Sequence, residues 1–439
     1  MINGIETFQC SLRLLKEKDL MNKIKSGASI SLPFEDKLGK HFYSYAFILT
    51  LLSFNIIPKD IIIALSVVIF AVSSLEECTF MYTFSLPWMY VATFSFGLTL
   101  SLIQSVIFIG KIIYYRVDIK FRLYEIIYMF FLIICGGLNL LLYHSFTGVS
   151  FVFYFAISTY FYKMSKTNEK NRGDFWQLSL YSTFLSCFGA LLYGLINNTS
   201  LDRWISGIGY AKQLYGTMGT TRFGFYLCIA LLFVLFYIEN KMIKTIFVIV
   251  VSICILSTIS ITAITLMLCI CIIYYFEYDR IDKKRVMFTI FFLCIIGLVV
   301  AFWSKISQIS LIKPISFRFN HIIEDLRQGN IDAASTGRAD LSEVYIQSFK
   351  NGEIMTKLFG SWGLLFDGVK YSHNSYLDML NYFGVVGIIL TLMLQIMHFF
   401  EYKKFKEFKL YLLLKFAILF PAATVSIFSA QFWQIWLFI

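Results

Sequence analysis

Ser372-His373-Asn374-Ser375-Tyr376-Leu377-Asp378 stands where a long polar stretch, running from Lys305 to His373, gives way to an apolar run that continues to about residue 399. The Ser375-x-x-Asp378 spacing is a helix-capping pattern, so a helix is expected to begin right after His373. Ser335-Thr336-Gly337-Arg338 lies within the same polar stretch. A histidine and an arginine are therefore delivered to the border of an apolar layer, and everything around them bears on what that layer is.

The composition names it. The chain has 439 residues, 58% hydrophobic and 18% aromatic, with a mean hydropathy of +0.71. Its charged fraction is 15%, against about 25% in soluble domains. Apolar runs near bilayer-spanning length recur along the sequence, which is the pattern of an all-α polytopic integral membrane protein. The runs fall at about 42–57, 61–75, 79–95, 97–113, 126–143, 149–162, 178–195, 223–238, 245–276, 286–303, 375–399 and 410–428. The 245–276 block has the length of a tight hairpin of two spans, which gives 12 or 13 spans in all. Pro58 and Glu76-Glu77 break the first three runs. The third and fourth are nearly continuous and can also be read as one long tilted helix.

Four regions follow: a basic tail (1–41), a bundle (42–303) with an outer loop at about 196–222, a large outer loop (304–374), and C-terminal spans (375–439). The first apolar run starts near Phe42, too far in for a cleaved signal peptide, so the first span is expected to stay in the protein. With the N-terminus inside, about two-thirds of the 38 Lys and Arg residues fall in inner segments, mostly short loops, as the positive-inside rule requires. The formal charge of +11 then reports topology and contact with anionic lipid rather than nucleic-acid binding. The nine cysteines show neither a disulfide framework nor metal-ligand spacing.

Inside the large loop, Phe319 to Arg327 and Asp340 to Phe349 have helical apolar spacing, with Gly329-Asn330 and Asn351-Gly352 as stops. Thr336 is placed to cap the second helix, which puts Arg338 in its first turn. A helix start attracts anions, and an arginine there reinforces the attraction. Within the spans only Lys111 and Lys415 stand out as ionisable, and both can snorkel to an interface. That scarcity opposes proton-coupled transport.

Three outer groups remain: Arg222, entering a span in Gly219-Thr220-Thr221-Arg222-Phe223-Gly224, then Arg338, then His373. Taken singly, each has an ordinary reading: an interfacial anchor, a solvated surface charge, and a hydrogen-bonding residue near a helix cap. Arg203, Arg318, Arg327 and His321 have the same ordinary reading.

Gly337-Arg338, then Phe359-Gly360-Ser361-Trp362-Gly363, then His373-Asn374-Ser375-Tyr376-Leu377-Asp378-Met379-Leu380 running into Phe383-Gly384-Val385-Val386-Gly387 resembles the large outer loop of the O-antigen polymerase and ligase superfamily. Thr221-Arg222-Phe223-Gly224 is similar to that family's other arginine motif. The resemblance covers roughly residues 178 to 400. It departs from the family in lacking a Trp soon after Gly-Arg and a Pro-Asn pair after the first arginine.

The resemblance implies a GT-C-like membrane glycosyltransferase of the bacterial inner membrane, metal-independent and cofactor-free, with its active loop outside. Its partners would be undecaprenyl-diphosphate-linked glycan as donor and acceptor, membrane lipids, a chain-length regulator and a flippase. In such an enzyme Arg222 and Arg338 would bind the diphosphate, with Arg203 and Arg318 as additional candidates, and His373 would act as catalytic base or orient the acceptor. Two alternatives stand beside polymerisation of repeat units: a ligase that passes glycan to lipid A core or protein, and a polysaccharide flippase or exporter.

Overall fold

In the computed structural model, residues 35–54, 56–88, 91–117, 121–143, 147–166, 169–197, 219–258, 260–277, 338–361 and 374–422 are described, with short pieces between 305 and 329. The described residues are all-α, with no strand; one isolated bridge joins Thr93 and Thr99. By internal contacts the chain divides at Lys40. In the first unit the described structure is the single turn α1 (Glu35–Leu38), leading to Lys40, where α2 (Lys40–Thr50) starts. The second unit, from His41, contains the rest.

After α2 and a 3-10 turn (Leu51–Ser53) come α3 (Lys59–Val72), α4 (Leu75–Ser85), α5 (Leu100–Tyr114), α6 (Leu123–Tyr143), α7 (Thr147–Met164) and α8 (Glu169–Asn197). They are followed by α9 (Gly219–Tyr237), α10 (Lys241–Ser257), α11 (Ile261–Glu277), α12 (Arg338–Asn351), α13 (Ile354–Phe359), α14 (Ser375–Tyr402) and α15 (Phe408–Ala422). The 245–276 block is indeed a hairpin, α10 and α11. Residues 286–303 lie outside the described residues. The expected loop helices end where glycine and asparagine were read as stops: Gly329 has φ +73°, and α12 ends at Asn351.

Three expectations need correction. The runs 79–95 and 97–113 are not one tilted helix. α4 gives way to a 3-10 turn at Leu86–Trp88, and a bridged turn follows with Gly97 at φ +93°. α5 then starts afresh, with the Thr99 side chain accepting from the Leu102 amide. The second and third runs are separate helices, but the boundary lies at Ser73-Ser74 rather than at Glu76-Glu77. The two acids open α4, where Ser74 and Glu77 form a reciprocal capping box and satisfy donors that a helix start leaves unpaired. The third correction concerns α14, whose cap is Asn374 rather than Ser375: the Asn374 oxygen accepts from the amides of Tyr376 (3.0 Å) and Leu377 (3.3 Å).

Apolar side chains lie on the outer faces of these helices as well as inside the bundle. On α3 the exposed stripe is Ile61, Leu65, Val68 and Val72, while the opposite face buries Ser66 and Phe70. On α10, Met242, Ile243, Ile246, Ile249 and Ile253 point outward, and on α14 Val385, Ile389, Leu392 and Ile396 do. Within the apolar interior, hydroxyls and amides bind each other across helices. Gln104 receives from Ser85 (2.8 Å) and donates to Tyr45 (2.5 Å); Tyr82 meets Ser105 (2.9 Å), and Thr83 meets Ser182 (2.5 Å). Burial of these groups is compensated by such pairs, in the way polar residues join helices inside a bilayer. Among the described residues one helix, α14, with 28 residues, is long and apolar enough by itself to cross a membrane. Shorter apolar helices lie at Leu100–Tyr114, Leu123–Leu138, Phe223–Tyr237 and Thr262–Tyr275.

Helix termini of the second unit sort into two ends. At one, His41 contacts Glu77 (3.3 Å), Lys111 caps the carbonyl of Ser73, and the Lys244 amine donates to Leu235 O (2.9 Å). The start of α6, the end of α7 and the end of α14 meet there too. At the other, the Ser95 amide donates to Asp60 (3.0 Å), Tyr226 donates to Leu86 O (3.2 Å), and Tyr376 donates to Leu419 O (2.9 Å). The first end carries the basic segments around Arg122, Lys166, Lys241 and Lys403. Among the described residues, bundle-helix termini at the second end contribute only Lys59 and Arg222. They are called here the basic end and the loop end.

Candidate functional site at the loop end

Arg222 lies in the first turn of α9, and Arg338 is the first residue of α12. α9 enters the bundle at the loop end, because Gly224 sits against the α10–α11 turn. A Cβ there would lie 2.5 Å from that of Ala263 and 3.3 Å from the Thr258 hydroxyl. α14 enters at the same end, through the Asn374 cap and the Tyr376–Leu419 hydrogen bond. The helix carrying Arg222 and the helix that follows His373 thus start on one side of the bundle. The side chains of Arg222 and Arg338, and the whole of Arg203, Arg318 and His373, lie outside the described residues.

α12 and α13 both pack on α14. α14 is broken at Gly384 (φ +64°, ψ −171°), which divides it into 375–383 and 385–402. The end of α13 fits into the break. Gly360, at φ +81°, lies so close that a Cβ on it would sit 2.6 Å from the amide nitrogen of Phe383, and one on Gly384 would be 2.5 Å from the amide nitrogen of Gly360. Only glycine tolerates both the left-handed backbone and this approach. The helix break leaves carbonyls without an i+4 partner. One of them, Asn381 O, accepts from both the amide (2.6 Å) and the hydroxyl (3.0 Å) of Ser361. The two glycine-containing segments quoted from the sequence are therefore partners in space.

The buried side of the short half-helix carries a polar strip, Ser375, Asp378 and Asn381, beside buried Met379 and Phe383. At the inner end of the half-helix Phe383 packs edge-on against Phe151 of α7 (centroids 5.0 Å apart), and below the break Tyr128 of α6 meets Thr391 (3.0 Å). The half-helix is thus supported from beneath by α6 and α7, and from the side by α13. Among the described residues no group of His, Cys, Asp and Glu could hold a metal ion.

The basic end holds what sequence reasoning missed. Glu401 is engaged by Arg122, Lys166 and the Tyr162 hydroxyl, and Tyr124 donates to it at 3.1 Å. Beside it Lys163 donates to both oxygens of buried Glu125 (3.0 and 2.9 Å). His398 stacks on Tyr162 with ring centroids 3.8 Å apart, and its Nε2 lies 3.9 Å from Glu125 Oε1. Lys415, expected to snorkel, is instead buried and donates to Gln395 (2.8 Å). Ionisable groups inside the helices are therefore more numerous than Lys111 and Lys415. Their signal in sequence is faint, since the partners come from four helices remote in the chain.

No family model matches the chain, and neither a curated protein nor a solved structure is similar to it.

Proposed function

We propose that the chain is a polytopic membrane glycosyltransferase that polymerises lipid-diphosphate-linked oligosaccharide repeat units at the outer face of the bacterial inner membrane. The spanning role is supported by the outer helix faces, since exposed apolar stripes on helix after helix are what lipid requires and water penalises. The orientation is supported by the concentration of Lys and Arg at one end, which belongs in the cytoplasm by the positive-inside rule. The loop end is then outside.

The observation that carries the functional reading is that α9, bearing Arg222, and α14, following His373, start at the same end, with the loop helices α12 and α13 seated on α14. A lipid-linked diphosphate is held at that level by its own tail. Forked guanidinium hydrogen bonds from Arg222 and Arg338 would bind its oxygens and offset the negative charge that grows as the sugar–phosphate bond breaks. An acceptor hydroxyl would attack the anomeric carbon from the opposite side, inverting it. The bond's electron pair would leave with the diphosphate, and the hydroxyl proton would pass to His373.

A gel of surface polysaccharide from a deletion strain tests this. One repeat unit attached to the cell acceptor is the expected result. Long lipid-linked chains left unattached would make the chain a ligase instead. The buried Glu125–His398 cluster is the feature that favours an exporter, and a deletion strain with repeat units retained on the cytoplasmic side would support that reading.

A further inference from the structure

We infer that Gly360, Ser361, Asn381 and Gly384 form a backbone clasp that positions residues 375–383, the outer half of α14, for glycosyl transfer. The inference rests on the function proposed above, and adds to it the part that sets the geometry. A continuous helix would fix 375–383 through its own i to i+4 ladder. Here the ladder is interrupted at Gly384, so the half-helix needs an outside support to have one orientation. The end of α13 supplies it. Two glycines with positive φ lie backbone to backbone, and Ser361 donates twice to Asn381 O. Cβ atoms are excluded on both sides, so the crossing distance is set by main-chain atoms, which vary less than side-chain rotamers.

The loop is thereby tied to the helix at two places: through the direct connection into Asn374, and through the clasp about seven residues further along α14. Small displacements of a reacting group are costly in rate, about a hundredfold for roughly 1 Å. A positioning device at this point would therefore be seen in turnover before it is seen in binding.

The test uses the full-length chain in lipid nanodiscs with undecaprenyl-diphosphate-linked repeat unit as substrate. Ser361→Ala removes the hydroxyl donor and leaves the backbone alone; Ser361→Thr restores it. The expected result is that Ser361→Ala lowers kcat about tenfold with KM for the lipid-linked donor unchanged, and that Ser361→Thr recovers most of the loss. Gly360→Ala and Gly384→Ala are expected to lose more, about a hundredfold. Gly137→Ala is the control, because Gly137 has nothing within 4 Å of a Cβ. Wild-type kcat in Ser361→Ala, or a kcat loss that Ser361→Thr fails to recover, overturns the clasp. Absence of any elongation by the wild-type chain would instead sink the glycosyltransferase reading.

Discussion

Tyr124 and Glu401, 277 positions apart in the chain, are joined by a hydrogen bond of 3.1 Å from the tyrosine hydroxyl to the carboxylate. The bond fastens the start of α6 to the end of α14. Arg122 and Lys166 converge on the same carboxylate. α14 is thus anchored at its basic end by charge and at its loop end by main-chain packing, with an apolar surface between. Fixed ends suit a helix whose outer half borders the candidate site.

Glu401 is expected to be a stability determinant. Its side chain is 13% exposed and that of Lys166 15%, whereas Arg122 is 48% exposed and keeps its hydration. Glu401→Ala should cost about 1–3 kcal/mol, chiefly by leaving Lys166 without its carboxylate in a poorly solvated place. Adding Lys166→Ala should recover part of that loss. Thermal unfolding in detergent micelles checks both; a double variant less stable than Glu401→Ala would refute the pairing.

Orientation can be read chemically. Lys59 is exposed at the loop end and Arg116 at the basic end. A membrane-impermeant maleimide applied to intact cells should label Lys59→Cys and spare Arg116→Cys, the pattern reversing for the latter only after permeabilisation. Labelling of Arg116→Cys in intact cells would place the basic end outside.

Gly224 should resist substitution for reasons of space alone. A Cβ there would meet Ala263 at 2.5 Å, in the tight seat of α9 on the α10–α11 turn. Gly224→Ala is expected to destabilise by about 1–3 kcal/mol through overpacking. Gly137→Ala, with open space around it, should leave the melting temperature unchanged or raised. Equal melting temperatures for the two variants would contradict the packing described.

The two arginines should behave as phosphate ligands rather than anchors. Arg222→Ala and Arg338→Ala are each expected to reduce polymer formation about a hundredfold while membrane levels hold. Lysine at either place should recover only part, because a point charge lacks the guanidinium fork. Chelation by EDTA should leave the wild-type rate unaltered. Full activity in both alanine variants would return the arginines to an interfacial role.

Legibility in the sequence followed the range of the interactions. Local patterns read well: the α10–α11 hairpin, the helix after His373, the stops at Gly329 and Asn351 and the place of Arg338 in the first turn of α12 follow from apolar periodicity and capping chemistry within a few residues, while the Thr336 cap lies outside the described residues. The break between α4 and α5 was harder, because the apolar composition runs through it. What ends α4 is a 3-10 turn containing Pro87, and what restarts α5 is the Thr99 cap. Glu76-Glu77 read as a break because charge marks a boundary without saying which side of it is helical. Long-range features were not readable at all. Nothing local pairs Gly360 with Gly384, or brings Glu401 to Arg122, and Lys415 gave no sign that Gln395 would bind it inside the bundle.

The central claim is that the loop end carries out glycosyl transfer from a lipid diphosphate with His373 taking the proton. Purified full-length chain in nanodiscs, given undecaprenyl-diphosphate-linked repeat unit and EDTA, puts it to the test. A ladder of lengthening lipid-linked glycan from the wild-type chain, and none from His373→Ala at equal protein, is the predicted result. An unextended substrate with the wild-type chain, or the same ladder from His373→Ala, would contradict it.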